Sequence, residues 1–178
     1  DLGLQEGMMW AGEKKPDSQQ IALGFEILGE TITADGVEKP RMLWSETINI
    51  FSNLTEKGKE LKYYSVFDPT ASDGDVPAWD AQLGKPCNVF VVHSPDKKKP
   101  AIVYDNIGKV DPIPTKYQDA VPPATIEPAI GDADDPNNVV TASLWGLPKY
   151  VYDKRIGAAE APKQEPQGHG DDFDDDVP

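Results

Sequence analysis

The residue types that most often carry catalysis or bind metals are sparse in this chain. It has one cysteine, Cys87, and two histidines, so neither an internal disulfide nor a zinc site rich in Cys and His can form. The sequence contains no phosphate-binding loop, no nucleophile elbow and no paired metal-binding histidines. Asp132, Asp134 and Asp135 lack the spacing and the final Glu of an EF-hand loop. We therefore predict a protein that is not an enzyme, with no catalytic residue, no metal and no cofactor.

Lysines and aromatic side chains show a more informative pattern. The chain has a net charge of −14, yet eleven of its 17 basic residues fall within residues 39–62 and 85–116, which are locally positive. Binding single-stranded nucleic acid without sequence preference needs cations for the phosphates and flat rings on which bases stack. The predicted nucleic-acid-binding residues are Trp44, Lys57, Lys59, Lys62, Tyr63, Lys85, Lys97, Lys98, Lys99 and Tyr104.

These candidates also have purely structural interpretations. Trp44 shares its strand face with Met42 and Ile48, so it fits core packing as well as base stacking. The three lysines of the predicted helix could form ion pairs with Glu56 and Glu60. The lysines of the second hairpin tip could serve only to keep a turn soluble and to prevent edge pairing. The sequence leaves these alternatives open.

Hairpins and one helix must position the candidates. Alternating apolar residues predict strands over 20–33 and 41–51, joined by a turn that contains Gly. A second hairpin is predicted from strands over 87–93 and 101–109, around a lysine-rich tip. A change to helical spacing predicts a helix over 53–67.

The other segments are short or irregular. A short helix is predicted over residues 77–83, with Pro at its first turn, and another over 144–156. Residues 111–136 contain too many prolines for a regular element, so we expect an extended strap that lies over the domain. From residue 157 onward the composition is typical of disorder.

The last eight residues form an acidic segment with apolar side chains. They are Asp171, Asp172, Phe173, Asp174, Asp175, Asp176, Val177 and Pro178. This order resembles the C-terminal tip of bacterial and bacteriophage single-stranded DNA-binding proteins, in which an acidic run ends in a hydrophobic residue, Pro and Phe. We expect the tail to dock on replication or repair proteins, with Phe173 and Val177 as apolar contacts, and to occupy the protein's own basic groove when no DNA is bound. The alternative is a disordered end that only keeps the chain soluble.

A second resemblance covers about residues 10–156. The segments that carry it are AGEK at 11–14, the strand at 21–27, KPR at 39–41, LGKPCNV at 83–89, DNIGKV at 105–110 and the strap. They are similar to a family of small bacteriophage proteins encoded among replication and recombination functions. That family is taken to bind single-stranded DNA through an OB-fold-like barrel, so the resemblance implies the same fold and activity here.

The predicted fold is mainly β. We expect an OB-fold-like β-barrel with one or two short helices over residues 10–156, followed by a disordered acidic tail over 157–178. An apolar content of 38% allows a core, whereas 17 prolines in 178 residues argue against a helical bundle. No apolar run approaches the ~20 residues of a membrane span, and the lone cysteine fits a reducing compartment. We expect a soluble protein in the cytoplasm of the infected bacterial host, with no membrane partner; a homo-oligomer is compatible with the sequence.

The expected function is to coat single-stranded DNA during bacteriophage replication or recombination, protecting it and recruiting partner proteins. The first alternative is an acidic protein that mimics DNA and inhibits a host defence or DNA-binding enzyme, as the net charge of −14 suggests. A second alternative is a structural or scaffolding protein of the phage. Clustered lysines favour DNA binding, because a mimic should instead spread carboxylates over its folded surface.

Overall fold

The computed structural model describes residues 1–34, 36–135, 138–144 and 146–158. Over these described residues the chain is mostly β, with a few short helices. The strands are β1 (Gly3–Gln5), β2 (Met9–Trp10), β3 (Glu13–Lys14), β4 (Ser18–Ile21), β5 (Gly24–Ala34), β6 (Val37–Trp44), β7 (Ile48–Ile50), β8 (Cys87–Pro95) and β9 (Val103–Pro112). The helices are α1 (Lys59–Phe67), α2 (Thr115–Gln118), α3 (Val139–Ala142) and α4 (Gly146–Asp153), with a 3-10 turn at Trp79–Gln82.

The strands form small antiparallel sheets. One sheet has three strands in the order β1-β4-β7, and the pairs β2–β3, β5–β6 and β8–β9 form two-stranded sheets. The prediction of a mainly β fold is confirmed. Within the described residues, however, these sheets do not close into the predicted OB-fold-like barrel.

Two apolar cores hold the sheets together. The first core lies between the two long hairpins and α1, and its buried members are Phe25, Ile48, Tyr63 and Val110. The second core joins the start of the chain to its last helices, and its buried members are Leu2, Ala133, Leu144 and Tyr152. Because β1 pairs with β4 and Leu2 is buried, the folded part begins before the predicted boundary at residue 10.

The strand predicted over 20–33 is divided into β4 and β5, which belong to different sheets. At the break, buried Ser45 takes the place of a strand partner for Leu23. The Ser45 hydroxyl accepts a hydrogen bond from the Leu23 N–H at 2.9 Å, and the Ser45 N–H donates to the Leu23 carbonyl at 2.8 Å. The strand predicted over 41–51 is likewise divided, into β6 and β7. Periodicity alone does not reveal this change of sheet, because both halves alternate.

The helix predicted over 53–67 begins later, because its first turn pairs with a loop. The Leu54 N–H donates to the Asp75 carbonyl at 2.7 Å, and the Leu54 carbonyl accepts from the Gly74 N–H at 2.9 Å. Leu54 is fully buried, so its backbone needs these partners. Helix α1 therefore starts only after Gly58, its N-cap residue.

A buried carboxylate fixes α1 against the rest of the fold. Glu60 is 1% exposed, whereas the sequence predicts it on the solvent side of the helix. Its two carboxylate oxygens accept hydrogen bonds from the Phe51 N–H at 3.1 Å and from the Trp79 indole Nε1 at 3.2 Å. Burying a charge is costly unless it is hydrogen-bonded, and these bonds connect α1 to the residue that follows β7 and to the 3-10 turn.

The predicted strap over 111–136 begins inside β9, which continues to Pro112. From residue 113 through 135 it is irregular apart from α2, and it is fastened to β5. The Glu26 carboxylate accepts hydrogen bonds from the Thr125 N–H at 3.0 Å, the Thr125 hydroxyl at 2.6 Å and the Ile126 N–H at 3.0 Å. Desolvation opposes ionisation of Glu26, but these hydrogen bonds outweigh it and lower the pKa of the carboxyl. The predicted strap thus lies against the first hairpin.

The remaining predicted elements appear with shifted ends. The second hairpin forms from β8 and β9, the short helix over 77–83 is the 3-10 turn, and the last helix is α4, preceded by α3. The N-cap of α3 is Asn138, whose side-chain oxygen accepts from the Val140 N–H at 2.9 Å. No helix in the described ranges is long and apolar enough to cross a membrane.

Candidate nucleic-acid interface

The hairpin of β8 and β9, called the ribbon below, has two different faces. Its inner face carries Val89 and Val110, which are paired across the strands and pack in or against the first core. Side chains alternate along a strand, so the neighbours of Val89 and Val110 along each strand point outward. This outer face carries Asn88, Phe90, Val92 and Ser94 from β8 and Tyr104, Asn106, Lys109 and Asp111 from β9.

The outer face combines exposed rings with a cation. Phe90 is 52% exposed and Tyr104 is 49% exposed, although aromatic side chains are usually well buried. Lys109 is the cross-strand partner of Phe90, and its Nζ lies 5.7 Å from the centroid of the Phe90 ring. The same Nζ donates to the Asp111 carboxylate at 2.6 Å. A flat apolar ring beside a cation is the arrangement on which single-stranded bases stack.

The ribbon tip presents three lysines from a turn of fixed shape. The Asp96 carboxylate accepts hydrogen bonds from the N–H groups of Lys98 and Lys99, each at 2.7 Å. The bonds from Lys99 and Lys98 lower the pKa of Asp96, which keeps this carboxylate ionised and the turn closed. The side chains of Lys97, Lys98 and Lys99 are exposed and make no ion pair within the described residues. They are therefore available to phosphate.

A shallow cleft lies between α1 and β9, and Lys62 of α1 borders it opposite the ribbon. It is lined by Glu46, Lys62, Tyr63, Ile107, Gly108, Lys109 and Val110. A β-bulge lies here, where the pairing of Phe90 with Lys109 shifts to that of Val91 with Ile107. A Cβ atom at Gly108 would come within 2.4 Å of Val92 Cγ2, so any larger residue in the bulge would displace the Val92 side chain. Lys62 and Lys109 thus border one surface.

The two aromatic candidates outside the ribbon are not placed for stacking. Tyr63 is only 7% exposed and packs in the first core, so its ring offers little surface to a base, and its role as a nucleic-acid-binding residue stays a prediction. Burial, with the nearby Glu46 charge, raises the pKa of its hydroxyl. Trp44 is half-buried and packs against the second core rather than the ribbon. Its indole N–H is buried without a hydrogen-bond partner in the described part of the chain, so the core interpretation describes it better.

The other predicted lysines differ in how far they are engaged. Lys57 is exposed and has no ion pair in the described residues, whereas Lys59 pairs with Glu46. Lys85 is tied to the protein, because its Nζ donates to the Gln82 side chain at 2.7 Å and to the Phe67 carbonyl at 3.3 Å. Among these three, Lys57 has the freest ammonium group.

Phe90, Val92 and Lys109 were not among the predicted surface residues. The signal is present in the sequence, because strand alternation puts Phe90 and Val92 on the face opposite Val89 and Val91. That this second face stays open could not be read from the sequence.

Two further predictions concern chemistry and the tail. Burial raises the pKa of the Cys87 thiol to about 11, so it is a protonated, half-buried side chain. No group of three or more His, Cys, Asp or Glu that could hold a metal ion occurs in the described ranges. The predicted tail residues 171–178 lie outside the described residues, and their role stays a prediction.

Comparison of the chain with protein-family models, with curated proteins and with solved structures finds no match. The ribbon, the cleft and the charge distribution are therefore the features from which a function can be inferred.

Proposed function

We propose that this chain is a non-catalytic single-stranded DNA-binding protein that holds DNA on the outer face of the ribbon. The observation that carries the proposal is the pair of half-exposed rings, Phe90 and Tyr104, on a face with Lys109 and next to a tip of three lysines. An OB-fold-like arrangement, in which an antiparallel surface presents such rings, belongs to this proposal. Bacteriophage replication or recombination is the proposed setting, because of the family resemblance described above.

In the proposed complex, bases stack on the two rings and phosphates meet the lysines. Each stacked base contributes ~1 to 3 kcal/mol. Lys97, Lys98 and Lys99 contact the backbone at one end of the ribbon, and Lys109 and Lys62 contact it near the cleft. Unpaired bases offer their flat faces to such rings, whereas a duplex offers only base edges in its grooves. Single strands are therefore preferred over duplexes.

The acidic tail has two roles in this proposal. Residues 171–178 dock on basic pockets of replication or repair proteins, and they compete with DNA for the lysines of the ribbon. Competition between charges is screened by salt. Removing residues 171–178 should therefore tighten DNA binding at low salt and change it little at high salt.

Fluorescence anisotropy with a labelled oligothymidine and a duplex of equal length, at several salt concentrations, tests the proposal. We expect salt-sensitive binding to the single strand only, by the full chain and more tightly by the chain without residues 171–178. Equal affinity for the duplex would contradict the stacking mechanism. Unchanged low-salt affinity after the deletion would contradict the competition.

The alternative of an acidic DNA mimic is favoured by one loop. Residues 68–80 contain four aspartates and no lysine or arginine. Three of the four, however, already accept hydrogen bonds from the protein. Asp68 accepts from Thr70 and Asp75 from Ser72 within the loop, and Asp73 accepts from the Glu56 N–H outside it. If neither the full chain nor the chain without residues 171–178 bound DNA, while the full chain blocked a basic DNA-binding enzyme, the DNA mimic would replace the present proposal.

A further inference from the structure

Strand β8 has an open edge. Each of its residues is paired with β9, and its backbone makes no hydrogen bond with any other described segment. In a two-stranded antiparallel sheet, the second edge of each strand therefore presents a row of unpaired N–H and C=O groups. Such an edge is a template for pairing with another strand.

The β8 edge also lacks the usual protection against pairing. Its nine residues, Cys87–Pro95, include no lysine, arginine, aspartate or glutamate. Prolines at 86 and 95 stand at its two ends and leave the backbone donors between them intact. Long, uncharged edges of β-branched and aromatic residues are uncommon in proteins that remain monomeric.

The edge of β5 shows what protection looks like in the same molecule. β5 carries Glu26 and Glu30, and its pairing with β6 is interrupted between Glu26 and Thr31. The strap crosses it, with Thr125 bonded to Glu26. Charge, irregularity and cover are three ways in which proteins block edge pairing. The extra residues of the first hairpin's bulge lie on β5, whereas the extra residue of the ribbon's bulge, Gly108, lies on β9. Within the described residues, β8 itself is therefore uncharged, continuous and uncovered.

We infer that β8 pairs antiparallel with β8 of a second copy of this chain, about a two-fold axis at Val91, its central residue. If the two-fold axis is perpendicular to the combined sheet, the outer faces of both copies lie on the same side of it. Each outer-face residue of one β8 must then lie opposite an outer-face residue of the other β8. Because faces alternate along a strand, the sequence numbers of two paired residues differ by an even number. Phe90 then faces Val92 of the second copy, and Asn88 faces Ser94. No two like charges meet across this axis, although each chain has a net charge of −14.

The pairing makes one four-stranded sheet of two ribbons. Both outer faces lie on the same side of this sheet, so the Phe90 and Tyr104 rings of the two copies form one continuous surface. This consequence rests on the proposed function, because a strand of DNA that crosses both ribbons gains from their high effective concentration. The pairing itself requires no DNA.

Sedimentation of the full chain without DNA tests the pairing, together with amide hydrogen exchange of residues 87–95. We expect a concentration-dependent species of twice the 19.4 kDa chain mass. Protection of the β8 amides that point away from β9 should rise over the same concentrations.

Two matched variants change the same two positions, which are polar in the monomer. Asn88→Lys with Ser94→Lys sets like charges opposite each other twice across the axis, and should weaken dimerisation about tenfold. Asn88→Lys with Ser94→Glu sets opposite charges there and should dimerise at least as well as the unchanged chain. A thermal melt of each variant confirms that it folds.

The results distinguish β8 pairing from a monomeric chain, from a dimer formed through another surface and from pairing of β8 with a different protein. A chain that remains monomeric with fast-exchanging β8 amides overturns the inference, and so does a dimer that both variants weaken equally. Protection of β8 that appears only with an added partner protein would also overturn it, and would assign the edge to that protein. DNA binding by a chain that stays monomeric would leave the proposed function standing while the pairing fails.

Discussion

The two long hairpins of this protein share an architecture and differ in what they leave exposed. The hairpin of β5 and β6 and the ribbon of β8 and β9 are both antiparallel, both have an interrupted register, and both contribute to the first core. The first hairpin is covered on β5 by the strap and is charged on both strands. The ribbon keeps an aromatic outer face and a neutral edge open. One hairpin is covered by its own chain, whereas the other leaves its outer face and one strand edge exposed, which is the surface assigned to DNA in the proposed function.

Removing both outer-face rings of the ribbon should reduce DNA affinity more than any other change proposed here. Phe90→Ala with Tyr104→Ala deletes the two stacking surfaces while leaving the inner face intact. At ~1 kcal/mol or more per base, affinity for oligothymidine should fall by about 30-fold or more. Anisotropy titrations at one fixed salt concentration measure this loss.

The matched control makes the same kind of truncation on the first hairpin. Ile32 and Val37 are 47% and 55% exposed, so Ile32→Ala with Val37→Ala also removes apolar surface from an open hairpin face. This variant should bind as the unchanged chain does. Equal losses from the two double variants would mean that the hairpins do not differ in function.

Neutralising the lysines of the ribbon tip should have the next largest effect, which we expect on the salt dependence of DNA binding. Changing Lys97, Lys98 and Lys99 to Gln removes up to three phosphate contacts, so the slope of log affinity against log salt should become shallower by ~2. Lys14, Lys15 and Lys39 changed to Gln give the same net charge from outside the ribbon. A slope that falls equally in both variants would show that total charge matters and the tip does not.

The sequence predicted the ribbon well and its surroundings poorly, for physical reasons. Alternation locates β8 and β9, and the turn chemistry around Asp96 places the lysines at their tip. Alternation cannot show whether an aromatic residue lies under another element, so Tyr63 was assigned to the interface and Phe90 was not. Glu60 illustrates the same limit, because its burial depends on donors from Phe51 and Trp79 that are distant in sequence.

The cover on the first hairpin can be loosened by acid or by mutation. The pKa of Glu26 is lowered in the fold, so its contribution to stability is fully present above its ordinary value of 4.5 and is lost as the pH falls through the lowered pKa. Glu26→Ala should release the strap at neutral pH, at a cost of about 1 kcal/mol, because hydrogen bonds to a charged acceptor are lost at a partly exposed site.

Hydrogen exchange over residues 120–130 measures this release. Relative to the intrinsic exchange rate at each pH, protection there should fall at acid pH in the unchanged chain and at all pH values in Glu26→Ala, while the protection of the β8–β9 amides stays as it was. Thr125→Val, which removes only the hydroxyl donor, serves as the milder control. A strap that remains protected in Glu26→Ala would show that the cover does not depend on this carboxylate.

The smallest expected effect concerns the ion pair of Arg41 and Asp105, which is the one ionic link between the hairpins among the described residues. Arg41 of β6 pairs with Glu30 of β5 and with Asp105 of β9, and Asp105 also pairs with His93. The Arg41 and Asp105 side chains are 24% and 33% exposed, and partly exposed ion pairs contribute little, so Arg41→Met should cost ~0.5 to 1 kcal/mol of unfolding free energy. Methionine keeps the alkyl packing of the arginine stem.

A double-mutant cycle with Asp105→Asn separates the Arg41–Asp105 interaction from those that Arg41 makes with Glu30 and Asp105 makes with His93. Chemical denaturation of the unchanged chain, the two single variants and the double variant gives the coupling energy between Arg41 and Asp105. We expect a coupling of ~0.5 kcal/mol with unchanged DNA affinity, because neither residue lies on the outer face. A coupling of zero would leave the shared apolar core as the connection between the hairpins. A loss of DNA affinity in Arg41→Met would instead mean that the covered hairpin sets the geometry of the open one.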